Sequence, residues 1–150
     1  MRKNALIATS SEIFDAWVAN RGAAVISSFS NGGANSTTGY SGGGLDGANS
    51  IAVDSADYKW VVNKTGNSIS EFGAGGTAIS PATTGYTSET SSVLNAPISI
   101  AVDIDGNVWV TNSGSDTVTE FVGLGSPTVT PIAANIITGH GYGDSAVNRP

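Results

Sequence analysis

The strongest constraint on what this chain can fold into is a tandem repeat pinned by two aromatic residues. Trp17-Val18-Ala19-Asn20, Trp60-Val61-Val62-Asn63 and Trp109-Val110-Thr111-Asn112 stand 43 and then 49 residues apart, and twelve residues after each Trp comes Phe29, Phe72 or Phe121. A recurring interval of this kind decides the architecture before any local reading of structure. Ile51-Ala52-Val53-Asp54 and Ile100-Ala101-Val102-Asp103 each begin nine residues ahead of a Trp, and Leu45 or Leu94 lies six residues before each run. The first copy has only Ala5-Leu6-Ile7-Ala8-Thr9 near that place, without the Asp and with a one-residue gap.

Within a copy the chain reads as short β-rich stretches bounded by Gly, Asn, Asp and Ser clusters that make turns. In the second copy these are residues 51–54, 59–63, 68–72 and 77–80; in the third, 99–103, 107–112, 117–122 and a looser one at 128–132. Asp105-Gly106 favours a two-residue hairpin, because both positions tolerate positive φ. Residues 12–20 come nearest to helical spacing, but their alignment with 59–63 places a strand there. Four strands in a repeat of about 46 residues is the pattern of a β-propeller blade; a β-helix rung would be about half as long. The expected fold is all-β: a β-propeller segment of about three four-stranded antiparallel blades in a single domain, residues 1–150. The blades fall at about 5–44, 45–93 and 94–132, with an irregular tail over 133–150. Trp and Phe then serve as the large apolar anchors between blades rather than as stacking platforms for a ligand.

Ser-Ile-Ala-Val-Asp followed by Gly-Asn-Val-Trp-Val-Thr-Asn-Ser-Gly-Ser-Asp-Thr-Val-Thr-Glu-Phe, within residues 99–121, resembles the NHL-repeat propellers, especially the bacterial group that includes virginiamycin B lyase-like proteins. The resemblance spans nearly the whole chain and is strongest over 45–122. It implies a ring of six blades, of which three copies make half. It also implies, for the lyases, a metal-assisted site bearing histidine. The blade loops here contain no His, so no catalytic position is carried over, and neither cofactor nor metal is expected. The favoured reading is a binding or interaction platform without catalysis of its own. The alternative is a fragment of a virginiamycin B lyase-like or other propeller lyase or hydrolase whose catalytic residues lie outside this chain.

Half a ring has a physical consequence. Four strands of about five residues present a face of roughly 300 Å². Leaving one such apolar face uncovered forfeits up to about 8 kcal/mol, against about 5 to 15 kcal/mol for a whole domain. An open arc has two such faces, so the expected partners are the remaining blades of a longer chain or a second copy closing the ring as a homodimer. Val147-Asn148-Arg149-Pro150 resembles Leu94-Asn95-Ala96-Pro97, the approach to a blade, which fits a fragment of a longer propeller.

Composition narrows the remaining classes. Six Lys plus Arg against twelve Asp plus Glu give a net charge of -6, and the basic residues are scattered, so nothing can neutralise a run of phosphates. Nucleic acid is not an expected partner. Charged residues are 12% of the chain, against roughly 25% in ordinary domains, and Ser, Thr and Asn supply the polar surface. That composition suits an extracellular or cell-surface location. Met1-Arg2-Lys3 is followed by only Ala5-Leu6-Ile7-Ala8, too short for the apolar core of a signal peptide, and no run is long enough for a membrane helix. With no Cys and one His, thiolate metal sites and paired imidazoles are excluded.

The candidate sites lie in the turns between second and third strands: Asn20-Arg21, Asn63-Lys64, and Asn112 with Asp116. One reading is a ring of hydrogen-bonding side chains, with Arg21 and Lys64 anchoring an acidic or polar ligand or a protein partner. The favoured one is that Asn is there to form the turns. Asp54 and Asp103 could cap backbone amides or line a channel mouth, and capping is favoured. Asp103-Ile104-Asp105-Gly106-Asn107 opens like a calcium loop but lacks the later ligands, so a hairpin turn is favoured. His140 is read as a loop residue of the tail without a catalytic partner. The runs Gly42-Gly43-Gly44 and Gly73-Ala74-Gly75-Gly76 lack the Lys and helix of a phosphate loop and read as connections.

Overall fold

The computed structural model describes residues 16–29, 39–87, 93–122, 124 and 140–142, and every regular element among them is a strand. β1 (Ala16–Asn20) and β2 (Val25–Phe29) pair as a first antiparallel sheet. β3 (Ala48–Val53), β4 (Lys59–Asn63) and β5 (Ser68–Phe72) form a second. β6 (Pro97–Val102), β7 (Val108–Asn112), β8 (Thr117–Phe121) and β9 (His140–Tyr142) form a third. The described residues are all-β, as the repeat predicts.

The sequence repeat is also a repeat of register. Ala16 pairs with Phe29, Lys59 with Phe72 and Val108 with Phe121, and each Trp lies one step further along its hairpin, opposite Ser28, Glu71 or Glu120. The first strands of the second and third sheets each carry a bulge at the same place, between Ala48 and Ser50 and between Pro97 and Ser99. These strands begin earlier than the apolar runs suggest, at Ala48 rather than 51 and at Pro97 rather than 99. Proline is tolerated there because a strand start needs no ladder N–H from it.

Three expectations need correction. The connection from β6 to β7 is a five-residue turn, 103–107, and not a two-residue hairpin: the N–H of Gly106 donates to the Asp103 carbonyl, and only Gly106 adopts the left-handed conformation, at φ 82°. The fourth stretch of the second copy, 77–80, lies along β5 without forming a regular strand: it makes one bridge, Ala78 to Phe72, the Ile79 N–H donates to the Glu71 carbonyl, and the Glu71 N–H donates to the Ser80 hydroxyl. The residues that recur at the outer edge are tyrosines: Tyr40 opposite Ile26, Tyr86 opposite Ile69 and Tyr142 opposite Val118. A Gly precedes each of them, and Gly85 shows why. It lies at φ 65°, and a Cβ there would sit 2.7 Å from the Ile69 carbonyl oxygen. Residues 128–132 lie outside the described residues, as does the first-copy run 5–9. His140, placed above in an irregular tail, begins β9 opposite Glu120.

Because side chains alternate across a strand, each sheet has a Trp face and a Phe face. The Trp face of the second sheet (Trp60, Val62, Ile69) packs on the Phe face of the third (Val108, Val110, Phe121), with Ile100 and Leu94 in the same cluster. The Trp face of the first (Trp17, Ala19, Ile26) packs on the Phe face of the second (Val61, Phe72), with Ala48 and Ile51. One joint is thus used twice. The second sheet is covered on both sides, and every residue of β4 is buried.

Lys59 is the exception in that buried strand. Its ammonium donates to the Asp57 and Ala74 carbonyls at 2.6 and 2.8 Å, pairs with the Asp57 carboxylate at 2.9 Å, and lies 4.3 Å from the ring centre of Trp17. All three donors are therefore met, and a π face takes the remaining side, which is what a buried cation requires.

Candidate functional site

The three turns singled out from the sequence share one backbone form. Ala24, Asn67 and Asp116 occupy the same turn position at φ 45°, 49° and 54°. In the second and third sheets the segment leading into the sheet straps across its own turn. Lys64 N–H donates to the Gly47 carbonyl and Gly66 N–H to that of Asp46; Ser113 repeats the first bond with Ala96, and Gly114, one turn position earlier than Gly66, donates to the Asn95 carbonyl. The Asn67 side chain reaches across to the next sheet, its Oδ1 accepting the Ala96 N–H at 2.7 Å. The turns of the second and third sheets are thus held side by side.

The asparagines face into this assembly. Asn63 is fully buried; its Nδ2 donates to Ser68 and Ser70 hydroxyls at 3.0 and 2.8 Å, and its Oδ1 accepts the Asp46 N–H. Asn112 does the same with Thr117, Thr119 and Asn95. Asn20 is half-buried and donates to Ser27 at 2.8 Å. Asn63 and Asn112 therefore offer nothing to a ligand: their amides are used up in locking the turn, and the reading of a ring of ligand-binding asparagines is corrected for them. At the surface of the same end stand Arg21 and Asp116, exposed, and Lys64, half-buried.

The opposite end of the sheets carries the carboxylates. Asp54 accepts the N–H groups of Ala56 and Tyr58 on one oxygen and the indole N–H of Trp60 on the other, at 3.0 Å. Asp103 repeats this with Asp105, Asn107 and Trp109, and adds the Asn107 side-chain amide. The Trp109 indole and the Asn107 donors hold the Asp103 carboxyl down at about 2. Both carboxylates cap their turns and orient their tryptophans. The Asp103–Asn107 loop spends its carboxylate on N–H donors, and among the described residues no cluster of three His, Cys, Asp or Glu forms a metal site.

One titratable pair went unrecognised in the sequence. The Tyr86 hydroxyl donates to Glu71 Oε2 at 2.6 Å, and the Tyr86 ring stacks on Trp60. Burial pushes the Glu71 carboxyl up against the pull of that hydrogen bond, and burial together with Glu71 raises the Tyr86 phenol. The first sheet has a weaker counterpart, Ser28 with Tyr40 at 3.4 Å, beside the tilted Trp17–Tyr40 contact. The pair fastens the edge tyrosine to its sheet. The signal that could have found it is the recurrence of Gly-Tyr at residues 39–40, 85–86 and 141–142. No protein-family model matches this chain, and no curated protein matches it.

Proposed function

We propose that the chain is three blades of an NHL-type β-propeller and acts as a binding platform through the end that carries the turns at 20–24, 63–67 and 112–116. The observation that carries this reading is the locking of those turns. In the second and third of them buried asparagines and the straps fix the backbone, and in the first Asn20 bonds Ser27, so the side chains that point outward are presented by a rigid frame. The packing of β3 beside β6, the first strands of successive sheets, supports a blade array in which first strands lie innermost. Arg21 and Lys64 suit an acidic or polar ligand, and the low-charge, Ser- and Thr-rich surface suits an extracellular or cell-surface setting.

The test is an NMR titration of the whole 150-residue chain with short acidic peptides and uronic-acid oligosaccharides. Shifts are expected in the three turns and are expected to disappear in an Arg21→Ala, Lys64→Ala double variant. Shifts confined to 54–58 and 103–107, or unchanged binding by the double variant, would remove the reading.

A further inference from the structure

The two joints inside the chain are built alike, and the outermost faces are the two halves of the same joint. On the first sheet the Phe face looks outward: Val18 and Phe29 are 41% and 43% exposed, whereas their counterparts Val61, Phe72, Val110 and Phe121 are at most 2% exposed. On the third sheet the Trp face looks outward. Ser99, Ala101 and Thr111 are exposed on it and Trp109 and Val118 half-buried, where Trp60 and Ile69 of the second sheet are buried. Residue types match across the repeat: Ala16, Val18 and Phe29 stand where Val108, Val110 and Phe121 meet Trp60. We propose that two copies of this chain join head to tail, the Phe29 face of each seated on the Ala101–Trp109 face of the other.

Area favours two such contacts over one. The first sheet brings two described strands of five residues to the joint, a face of roughly 160 Å², so one joint buries about 300 Å² in total and two bury about 600 Å², in the range of weak, concentration-dependent association. A head-to-tail contact is heterologous, and it makes both joints only when the pair closes on itself. This deepens the blade-array reading above and rests on it for the closure into a ring; the contact itself follows from the stacked sheets.

Light scattering coupled to gel filtration tests the contact. Wild type is expected at twice the 15.0 kDa chain mass. Phe29→Arg and Ala101→Arg are each expected to give a monomer with unchanged strand signal in circular dichroism, and Ile104→Arg, at an exposed turn tip, to leave the dimer intact. Mixing the two face variants restores one matched joint and is expected to return a weaker dimer. A monomeric wild type at about 100 µM overturns the proposal, as does dissociation by Phe29→Arg but not by Ala101→Arg, which would mean a symmetric contact between first sheets. Small-angle scattering separates the two claims: an elongated, open dimer keeps the joint and removes the ring.

Discussion

Replacing Asn63 by Ala tests whether the turn asparagines serve the fold or a ligand. The substitution removes three hydrogen bonds: Nδ2 to Ser68 at 3.0 Å and to Ser70 at 2.8 Å, and Oδ1 from the Asp46 N–H at 3.2 Å. At about 1 kcal/mol net for each, the expected loss is about 3 kcal/mol. Ser70 keeps its bond to the Gly43 carbonyl, so it is not stranded, whereas the Asp46 N–H loses its side-chain acceptor. Asn20 is half-buried and makes one such bond, to Ser27, so Asn20→Ala is expected to cost about 1 kcal/mol. Urea unfolding followed by tryptophan fluorescence measures both. With a slope of about 2 kcal/mol per molar, Asn63→Ala lowers the midpoint by about 1.5 M, and Asn20→Ala by about a third of that. A loss below about 0.5 kcal/mol for Asn63→Ala, or equal losses for the two variants, would refute the turn-lock argument.

Two further outcomes follow from the carboxylates and are checked by unfolding across pH. The fold favours ionised Asp103, so its contribution is complete above the ordinary value of 3.8 and is lost as pH falls toward about 2; Asp103→Asn flattens stability over that window. The fold disfavours ionised Glu71, so stability declines as pH rises through and beyond the ordinary 4.5, and Glu71→Gln, which still accepts from Tyr86, removes the decline. Tyr86 acts at the other extreme. Its phenol is raised above 10.0, the unfolded chain ionises first, and the resulting loss of stability in strong alkali is absent in Tyr86→Phe.

The Trp-to-Phe hairpins were legible in the sequence almost to the residue, because β-rich runs there are bounded by Asn on one side and turn chemistry on the other. Residues 59–63 and 68–72 are β4 and β5 with no shift of boundary. The outer strands were not legible, because a strand of one to three residues has no periodicity to detect. Tyr86 is placed by one antiparallel bridge, by the Gly85 conformation and by its bond to Glu71, and none of these leaves an alternating pattern. The asparagines were read chiefly as turn formers, but their burial was not legible for a related reason: a polar residue at a turn reads as surface. The clue lay seven residues on, where Ser27, Ser70 and Thr119 put a hydroxyl in mid-strand on the face that meets each Asn.

The edge tyrosines also divide the repeat into a fixed part and a free part. From Trp to Phe the interval never changes, but from Phe29 to Tyr40, Phe72 to Tyr86 and Phe121 to Tyr142 the chain takes routes of three different lengths to reach the same pairing position. Length is thus uncoupled from the stack at this crossing, and again between the tyrosine and the next sheet, where Tyr40 stands 8 residues before Ala48 and Tyr86 11 before Pro97. A foreign peptide spliced between a Phe and its Gly-Tyr would hang from the rim while the sheets beneath keep their seating, which makes that crossing the natural place for the molecule to acquire, or be given, a new specificity.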